Sequence, residues 1–122
     1  MTLHYQNAHL VPVQIVNTPT IKVVTLTSGM KTVSYALKRL WPHPSYLENG
    51  NLPNLTHLTI SLWKYSRPSL DDIFDVRILI KAHLENRQAE SRPLERLTIP
   101  RCIFKDDVDW VRSRVRGLEL TD

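Results

Sequence analysis

The chain has 122 residues, and this length predicts one small domain or a piece of a larger one. With 42% hydrophobic and 23% charged residues, its apolar content is sufficient for a core. A single cysteine, Cys102, excludes an internal disulfide bond. The formal net charge is +4, but bases alternate with acids throughout residues 61–122, which favours a mixed solvated surface over a nucleic-acid-binding face.

Two strands are predicted before the first helix. Residues 10–16 are rich in β-branched side chains, and Pro12 cannot donate to a strand ladder, so this segment is expected at a sheet edge. Residues 17–20 have the composition of a turn. Residues 21–26 then predict a strand whose aliphatic side chains alternate with polar ones.

A helix is predicted directly after this second strand. Its apolar stripe has helical spacing and consists of Met30, Val33, Leu37, Leu40 and Trp41. Ser28 is expected to cap the amino terminus of this helix, and Pro42 and Pro44 are expected to end it. Residues 45–51 are predicted to form a loop or helical turn.

The middle of the chain predicts a strand at 55–62, a polar connector at 64–69 and a second helix from Leu70 to about Arg87. Ser69 is the expected cap of that helix. Its apolar face is predicted to consist of Leu70, Ile73, Phe74, Ile80 and Leu84. Because Arg77 and Lys81 project into the middle of this face, an irregular or extended piece at 76–80 is the alternative.

The last third predicts a strand at 94–99, a short helix and a final strand at 115–120. The helix is expected to begin at Asp106, with acids in its first turn and bases in its last turn, as the helix dipole favours. Gly117 is expected to follow it as a left-handed cap.

A pattern of aliphatic residues recurs in four of these segments. It has the form Lxx-L-x-L, and it begins at Ile21, Leu55, Leu94 and Val115, with spacings of 34, 39 and 21 residues. Such recurrence predicts an α/β fold in which parallel strands line one face and helices the other, a short leucine-rich-repeat-like solenoid. The expected organisation is one domain, 1–122, with irregular units near 10–45, 46–90, 91–114 and 115–122. The alternative is an ordinary small α/β domain whose strands are alike.

Three stretches carry a resemblance to a known family. They are Leu52-Pro-Asn-Leu-Thr-His-Leu-Thr-Ile60, Arg92-Pro-Leu-Glu-Arg-Leu-Thr-Ile-Pro-Arg-Cys102 and Lys105-Asp-Asp-Val-Asp-Trp-Val-Arg112. Together they resemble the repeat portion of fungal F-box leucine-rich-repeat proteins, well over residues 50–122 and loosely over 10–45. In that family an F-box binds the adaptor of a cullin-based ubiquitin ligase, and the repeats receive the substrate. The chain contains no segment that resembles the F-box itself.

No residue set predicts chemistry. The five histidines are scattered without the spacing of metal ligands, and Cys102 is expected to be a small buried hydrophobe. Asp106, Asp107 and Asp109 are explained by their place at a helix start. Since Gly-rich phosphate loops and nucleophile elbows are also missing, the sequence predicts no catalytic, cofactor or metal site and no enzyme.

What the pattern does predict is a surface. On each strand, the residues that alternate with the buried aliphatics face the open side of the sheet, and Thr25, Thr59, Thr98 and Glu119 are expected to form one row across it. The candidate partner-binding residues are Thr25, His57, Thr59, Ser61, Trp63, Arg96, Thr98 and Glu119. His57, Arg96 and Trp63 are expected to form its working edge, since Trp and Arg often anchor interfaces. The alternative is that threonine lies there only for its β-propensity.

These observations predict a protein–protein interaction module, with the substrate-receptor repeats of a ubiquitin ligase as the function that the resemblance implies. A basic nucleic-acid-associated domain and an incomplete piece of a longer repeat protein are the alternatives. The sequence has neither a signal-peptide pattern nor an apolar run near the roughly 20 residues of a membrane span. A protein of the cytoplasm or nucleus, without a membrane partner, is therefore expected.

Overall fold

The computed structural model describes residues 2–5, 22–40, 54–63, 67–89 and 91–121. These residues form an α/β fold with a five-stranded parallel sheet. In chain order the strands and helices are β1 (Thr2–Tyr5), β2 (Val23–Ser28), α1 (Met30–Leu40), β3 (His57–Leu62), α2 (Leu70–Ala89), β4 (Arg96–Pro100), a 3-10 helix (Arg101–Phe104), α3 (Val108–Arg112) and β5 (Leu118–Thr121).

The strands lie in the sheet in the same order as in the chain, from β1 at one edge to β5 at the other. The predicted strands at 21–26, 55–62, 94–99 and 115–120 correspond to β2, β3, β4 and β5. The edge beside β2 is occupied by Thr2–Tyr5, a strand that the sequence analysis missed. The edge strand predicted at 10–16 lies outside the described residues.

Alternation of aliphatic and polar side chains explains the central strands. Along β2 every second residue is buried, and the aliphatics that β2, β3 and β4 direct into the core are Val24, Leu26, Leu58, Ile60, Leu97 and Ile99. Leu55 and Leu94, which precede their strands, are buried as well. In these two units the first aliphatic of the repeated pattern therefore belongs to the core although it lies before the strand.

Helix α1 packs the first three residues of its predicted stripe against this face of the sheet; the side chains of Leu40 and Trp41 lie outside the described residues. Met30, Val33 and Leu37 are almost fully buried. The predicted cap is wrong, because Ser28 is the last residue of β2 and its buried hydroxyl has no hydrogen-bond partner. The first turn is closed instead by the amide of Val33, which donates to the carbonyl of Gly29 over 3.0 Å.

Helix α2 is one continuous helix of 20 residues, so the alternative of an irregular piece at 76–80 is wrong. The predicted cap is confirmed, since the amide of Asp72 donates to the hydroxyl of Ser69 over 3.1 Å. The predicted apolar face is wrong in part, because Leu70 and Phe74 are exposed. The residues of α2 that are buried are Val76, Ile80, His83, Leu84 and Arg87.

The C-terminal segment differs from its prediction in two ways. The chain first forms the 3-10 helix, and α3 begins only at Val108. Gly117 is not in the left-handed region; it lies where a Cβ would come within 3.1 Å of the Glu95 carbonyl oxygen. Glycine is therefore explained by the close approach of the chain before β4. A hydrogen bond joins the two segments, since the amide of Leu97 donates to the Gly117 carbonyl over 2.9 Å.

Several further expectations lie outside the described residues. They are the turn at 17–20, the proline stop at Pro42 and Pro44, the loop at 45–51 and part of the connector at 64–69. Within the described ranges, no helix is both long enough and apolar enough to span a membrane.

Candidate functional site

The sheet has one face covered by helices and one without them in the described part of the chain. Aliphatic side chains from α1, α2 and the 3-10 helix share one core with the inward side chains of the strands. The opposite face, here called the open face, carries side chains that are half-buried or exposed. Its residues on β2 to β5 are Val23, Thr25, Thr27, His57, Thr59, Ser61, Arg96, Thr98 and Glu119.

The register of the strands places the predicted row across the open face. Thr25 is paired with Thr59, Thr59 with Thr98, and Thr98 with Glu119. Neighbouring strands are about 4.8 Å apart, so the row spans roughly 14 Å. The prediction that these residues lie side by side is therefore confirmed.

Two of the predicted site residues form an ion pair. A guanidinium nitrogen of Arg96 lies 2.8 Å from a carboxylate oxygen of Glu119, and both side chains are about half exposed, at 56% and 51%. Exposed pairs of this kind contribute about 0–1 kcal/mol to stability. The contact holds the two side chains in place across β4 and β5, and its charges cancel locally.

His57 is oriented by a hydrogen bond at the amino-terminal end of β3. The hydroxyl of Thr56 donates to the carbonyl of Lys22 over 3.0 Å and lies 2.8 Å from Nδ1 of His57. The Thr56 hydroxyl therefore positions the ring at the start of β3, whichever ring nitrogen carries the proton. The Nε2 atom takes no part in this contact and can form a hydrogen bond with a polar group of a partner.

Trp63 does not join His57 and Arg96 as predicted. His57 and Arg96 are register partners at the amino-terminal end of their strands. Trp63 follows the carboxyl-terminal end of β3 and is 51% exposed. At the usual rise of an extended chain it lies about 20 Å from His57. Pro100 also departs from the alternation along β4, which predicts it on the open face with Arg96 and Thr98, because it is buried.

The structure also contains a groove that the sequence analysis did not predict. It runs along the edge of the sheet where β2 to β5 begin and has a volume of about 560 Å³. We call it the basic groove; it is lined by Lys22, Asn54, Leu55, Thr56, Arg87, Ser91, Arg92, Pro93, Glu95 and Arg116. A depression of about 360 Å³ continues it past Arg114 and shares Ser91, Pro93 and Arg116 with it.

One base of the groove, Arg87, is held from inside the core. Its Nε donates to Nε2 of His83 over 2.9 Å, and an Nη donates to the carbonyl of Arg92 over 3.3 Å. Burial, and then the charge of Arg87, hold the pKa of His83 well below its usual value, so His83 is a neutral acceptor. The signal for this pair was available, because the spacing of Ile80, His83, Leu84 and Arg87 is that of one helix face.

Two other groups, Cys102 and Asp107, have pKa values that their structural surroundings shift. Burial raises the pKa of the Cys102 thiol, which opposes thiolate chemistry. A hydrogen bond from Lys81, 2.9 Å away, holds the pKa of Asp107 below its usual range. Among the described residues, no group of three or more His, Cys, Asp or Glu side chains is placed to hold a metal ion.

Comparison of the chain with models of known protein families, with curated proteins and with solved structures gave no match. The open face and the basic groove are therefore the features of the molecule that bear on its function.

Proposed function

We propose that this chain is a protein-binding module, built as a short leucine-rich-repeat-like solenoid that receives its partner on the open face. The observation that carries the proposal is the open face itself. It presents polar side chains in register across parallel strands, while helices cover the opposite face. Such a face provides regularly spaced contacts for a partner, and the sheet beneath them is a rigid support.

Two features support the solenoid interpretation. The strand order follows the chain order, and the equivalent aliphatics of the repeated pattern are register partners: Val24 with Leu58, Leu58 with Leu97, and Leu97 with Leu118. A repeated backbone contact accompanies them. The Lys22 carbonyl accepts from the amides of Thr56 and His57, and the Thr56 carbonyl accepts from the amides of Glu95 and Arg96.

The charges of the open face favour a protein partner over nucleic acid. Nucleic-acid binding depends on bases that contact phosphates. On the open face of β2 to β5, the base Arg96 is paired with Glu119, and the other side chains are neutral hydroxyls, His57 and Val23. Hydroxyls and a histidine ring are suited instead to hydrogen bonds with a peptide backbone or polar side chains.

The resemblance to F-box repeats extends the proposal to a class of partner. In that extension the open face binds a protein that a cullin-based ubiquitin ligase modifies. Recovery of the cullin adaptor in an affinity capture from cells would support it, and capture of open-face partners without the adaptor would limit the proposal to protein binding.

A comparison of two double variants tests the open face. The first is His57→Ala with Arg96→Ala; the matched control is Lys31→Ala with Glu85→Ala, two exposed residues on the helical side. We expect the proteins captured by the wild-type chain to be lost with the first variant and retained with the control. If the open-face variant captures the same proteins in the same amounts, the assignment is wrong.

A titration with duplex DNA at 50 and 200 mM salt tests the competing function. Phosphate-driven binding by several bases falls steeply with salt. Tight, salt-dependent DNA binding, together with unchanged protein capture by the open-face variant, would replace the proposal with the nucleic-acid-associated alternative.

A further inference from the structure

The basic groove has an ordered charge pattern along one side. One residue shortly before each of four strands lines the groove. These residues are Lys22 before β2, Thr56 before β3, Glu95 before β4 and Arg116 before β5. Backbone hydrogen bonds join these segments, from Thr56 to Lys22 and from Glu95 to Thr56. The row is therefore positive at both ends, with one carboxylate between them.

Three bases of the groove are exposed, and no acid in the described part of the chain pairs with them. These bases are Lys22, Arg92 and Arg116. Like charges around one concavity reinforce each other's potential, so an anion that enters gains from all of them.

The position of Glu95 argues for a particular kind of anion. A continuous polyanion, such as polyphosphate or a nucleic-acid strand, would place negative charge against this carboxylate. Lys22 and Arg116 are three strand spacings apart, which is roughly 14 Å. An extended peptide rises about 3.3 Å per residue, so side chains four positions apart match that distance. A peptide with acids four positions apart places one acid beside Lys22 and the other beside Arg116. A neutral or basic residue between them then lies beside Glu95.

We propose that the basic groove binds an extended acidic segment with carboxylates at positions i and i+4 and no acid between them. The inference rests on the proposed function, because the segment belongs to the protein that the open face binds. Arg96 and His57 on the open face directly follow Glu95 and Thr56 in the groove, so one partner reaches both. Recognition comes from side chains, since amides at this edge already donate to neighbouring carbonyls.

The lining of the groove also distinguishes a peptide from single-stranded nucleic acid. Proteins that bind single strands stack bases on aromatic side chains. The lining residues that the structure describes include no aromatic side chain. Arg and Lys without stacking partners are sufficient for carboxylates, which Arg binds with two parallel hydrogen bonds.

Fluorescence anisotropy with a labelled peptide, acetyl-Gly-Glu-Ser-Lys-Ser-Glu-Gly, tests the proposal on the full chain at 50 mM salt. The groove variant is Lys22→Gln with Arg92→Gln and Arg116→Gln. The matched control removes three exposed bases elsewhere, as Lys31→Gln with Arg67→Gln and Lys105→Gln. We expect Kd to rise at least about tenfold in the groove variant and less than about twofold in the control. Equal losses in both, or no binding by the wild-type chain, overturn the proposal.

Glu95→Gln provides the second measurement, because it removes the central carboxylate. We expect it to weaken binding of the peptide with a central Lys and to strengthen binding of tripolyphosphate. If tripolyphosphate or duplex DNA binds the wild-type chain more tightly than the peptide and loses affinity in the groove variant, the groove is a phosphate site and the peptide proposal is wrong.

The open-face variant, His57→Ala with Arg96→Ala, separates this proposal from the proposed function. It retains every groove base, so peptide binding should change less than about twofold while protein capture is lost. Failure of the peptide to bind, with capture still dependent on the open face, would reject the groove assignment alone.

Discussion

Helices α1 and α2 pack on the same face of the sheet, but they bury side chains of different chemistry. The buried face of α1 is almost wholly apolar, with Met30, Val33 and Leu37 at its centre. The buried face of α2 combines aliphatics with His83 and Arg87, which are only 3% and 6% exposed. Hydrophobic periodicity is therefore sufficient to orient α1 and insufficient to orient α2.

Polar contacts to later parts of the chain explain the orientation of α2. Nε of Arg77 donates to the Ile103 carbonyl over 2.6 Å, and Lys81 pairs with Asp107 over 2.9 Å. Lys81 also lies 5.0 Å from the centre of the Trp110 ring. These contacts require Arg77 and Lys81 to face the C-terminal segment.

The cost of this orientation is the exposure of an apolar stripe. Leu70, Phe74 and Ile78 are 84%, 56% and 47% exposed. Rotation of α2 would bury these three side chains, which would stabilise the fold by about 1.5–3 kcal/mol for each. The same rotation would expose a similar set of buried aliphatics and break the polar contacts. The observed orientation is favoured because it keeps both the aliphatic core and the polar contacts.

The largest expected effect is the loss of a buried leucine from either helix. Leu37→Ala in α1 and Leu84→Ala in α2 should each lower the free energy of unfolding by about 2–5 kcal/mol, since both side chains are fully buried. Urea unfolding followed by circular dichroism measures this. Leu70→Ala is the control and should change stability by less than about 0.5 kcal/mol. A large loss in Leu70→Ala would mean that α2 buries the face predicted from sequence.

Replacement of Arg87 tests whether the polar part of the α2 face stabilises it. Arg87→Leu leaves His83 and the Arg92 carbonyl without the donor that the structure gives them, so we expect a loss of about 1–3 kcal/mol in urea unfolding. Arg92→Leu is the control, because its side chain is exposed and only its carbonyl accepts the bond. If both variants unfold at the same urea concentration, the buried pair does not contribute to stability.

The depressed pKa of His83 predicts a pH dependence of stability. In the unfolded chain this group titrates near 6.5, whereas burial lowers its pKa in the folded chain. Below pH 6.5 the unfolded chain binds a proton that the folded chain does not, so the contribution of His83 to stability falls as pH decreases. The slope is at most about 1.4 kcal/mol per pH unit, and the contribution is constant above about pH 7.5.

Urea unfolding at pH 8, 7, 6 and 5.5 measures this slope. His83→Gln keeps an acceptor for Arg87 without a titrating ring, so the slope should decrease in that variant. His57→Gln, on the open face, is the control and should keep the slope that His83 causes. The same slope in wild-type and His83→Gln protein would contradict the assignment.

The smallest expected effect concerns the end of α2. The amides of Ser91 and Arg92 donate to the carbonyls of Gln88 and Arg87, which is the Schellman arrangement, and Ser91 has a φ of 57°. Glycine adopts this conformation without the cost that a Cβ brings, so Ser91→Gly should stabilise the chain by about 1 kcal/mol. Ser91→Ala keeps the Cβ and should give no such gain. Equal thermal midpoints for the two variants would exclude conformational strain at this position.

Much of the sheet was predictable from the residues themselves. The alternation around Leu58 and Ile60 recurs around Leu97 and Ile99, and a period of two leaves little choice of face. Since equivalent positions of parallel strands align, Thr25, Thr59 and Thr98 were predicted to lie side by side, as the register confirms. Their role in partner binding stays a prediction.

The site beyond that row could not be predicted in the same way. The basic groove brings together Lys22, Arg92 and Arg116, which are far apart in the sequence. Nor did the pattern separate Trp63 from His57, because the strand length that divides them is set by where pairing ends.

The residues of single segments were enough to predict strands β2 to β5, the buried stripe of α1 and the side of each strand that meets the core. These depend on local periodicity, which one segment carries alone. Three further features are visible only in the folded chain: the face that α2 buries, the edge strand at Thr2–Tyr5 and the gathering of bases into one groove. Those outcomes depend on contacts between distant segments, such as Arg77 with Ile103 and Lys81 with Asp107, whose free energy no local pattern contains.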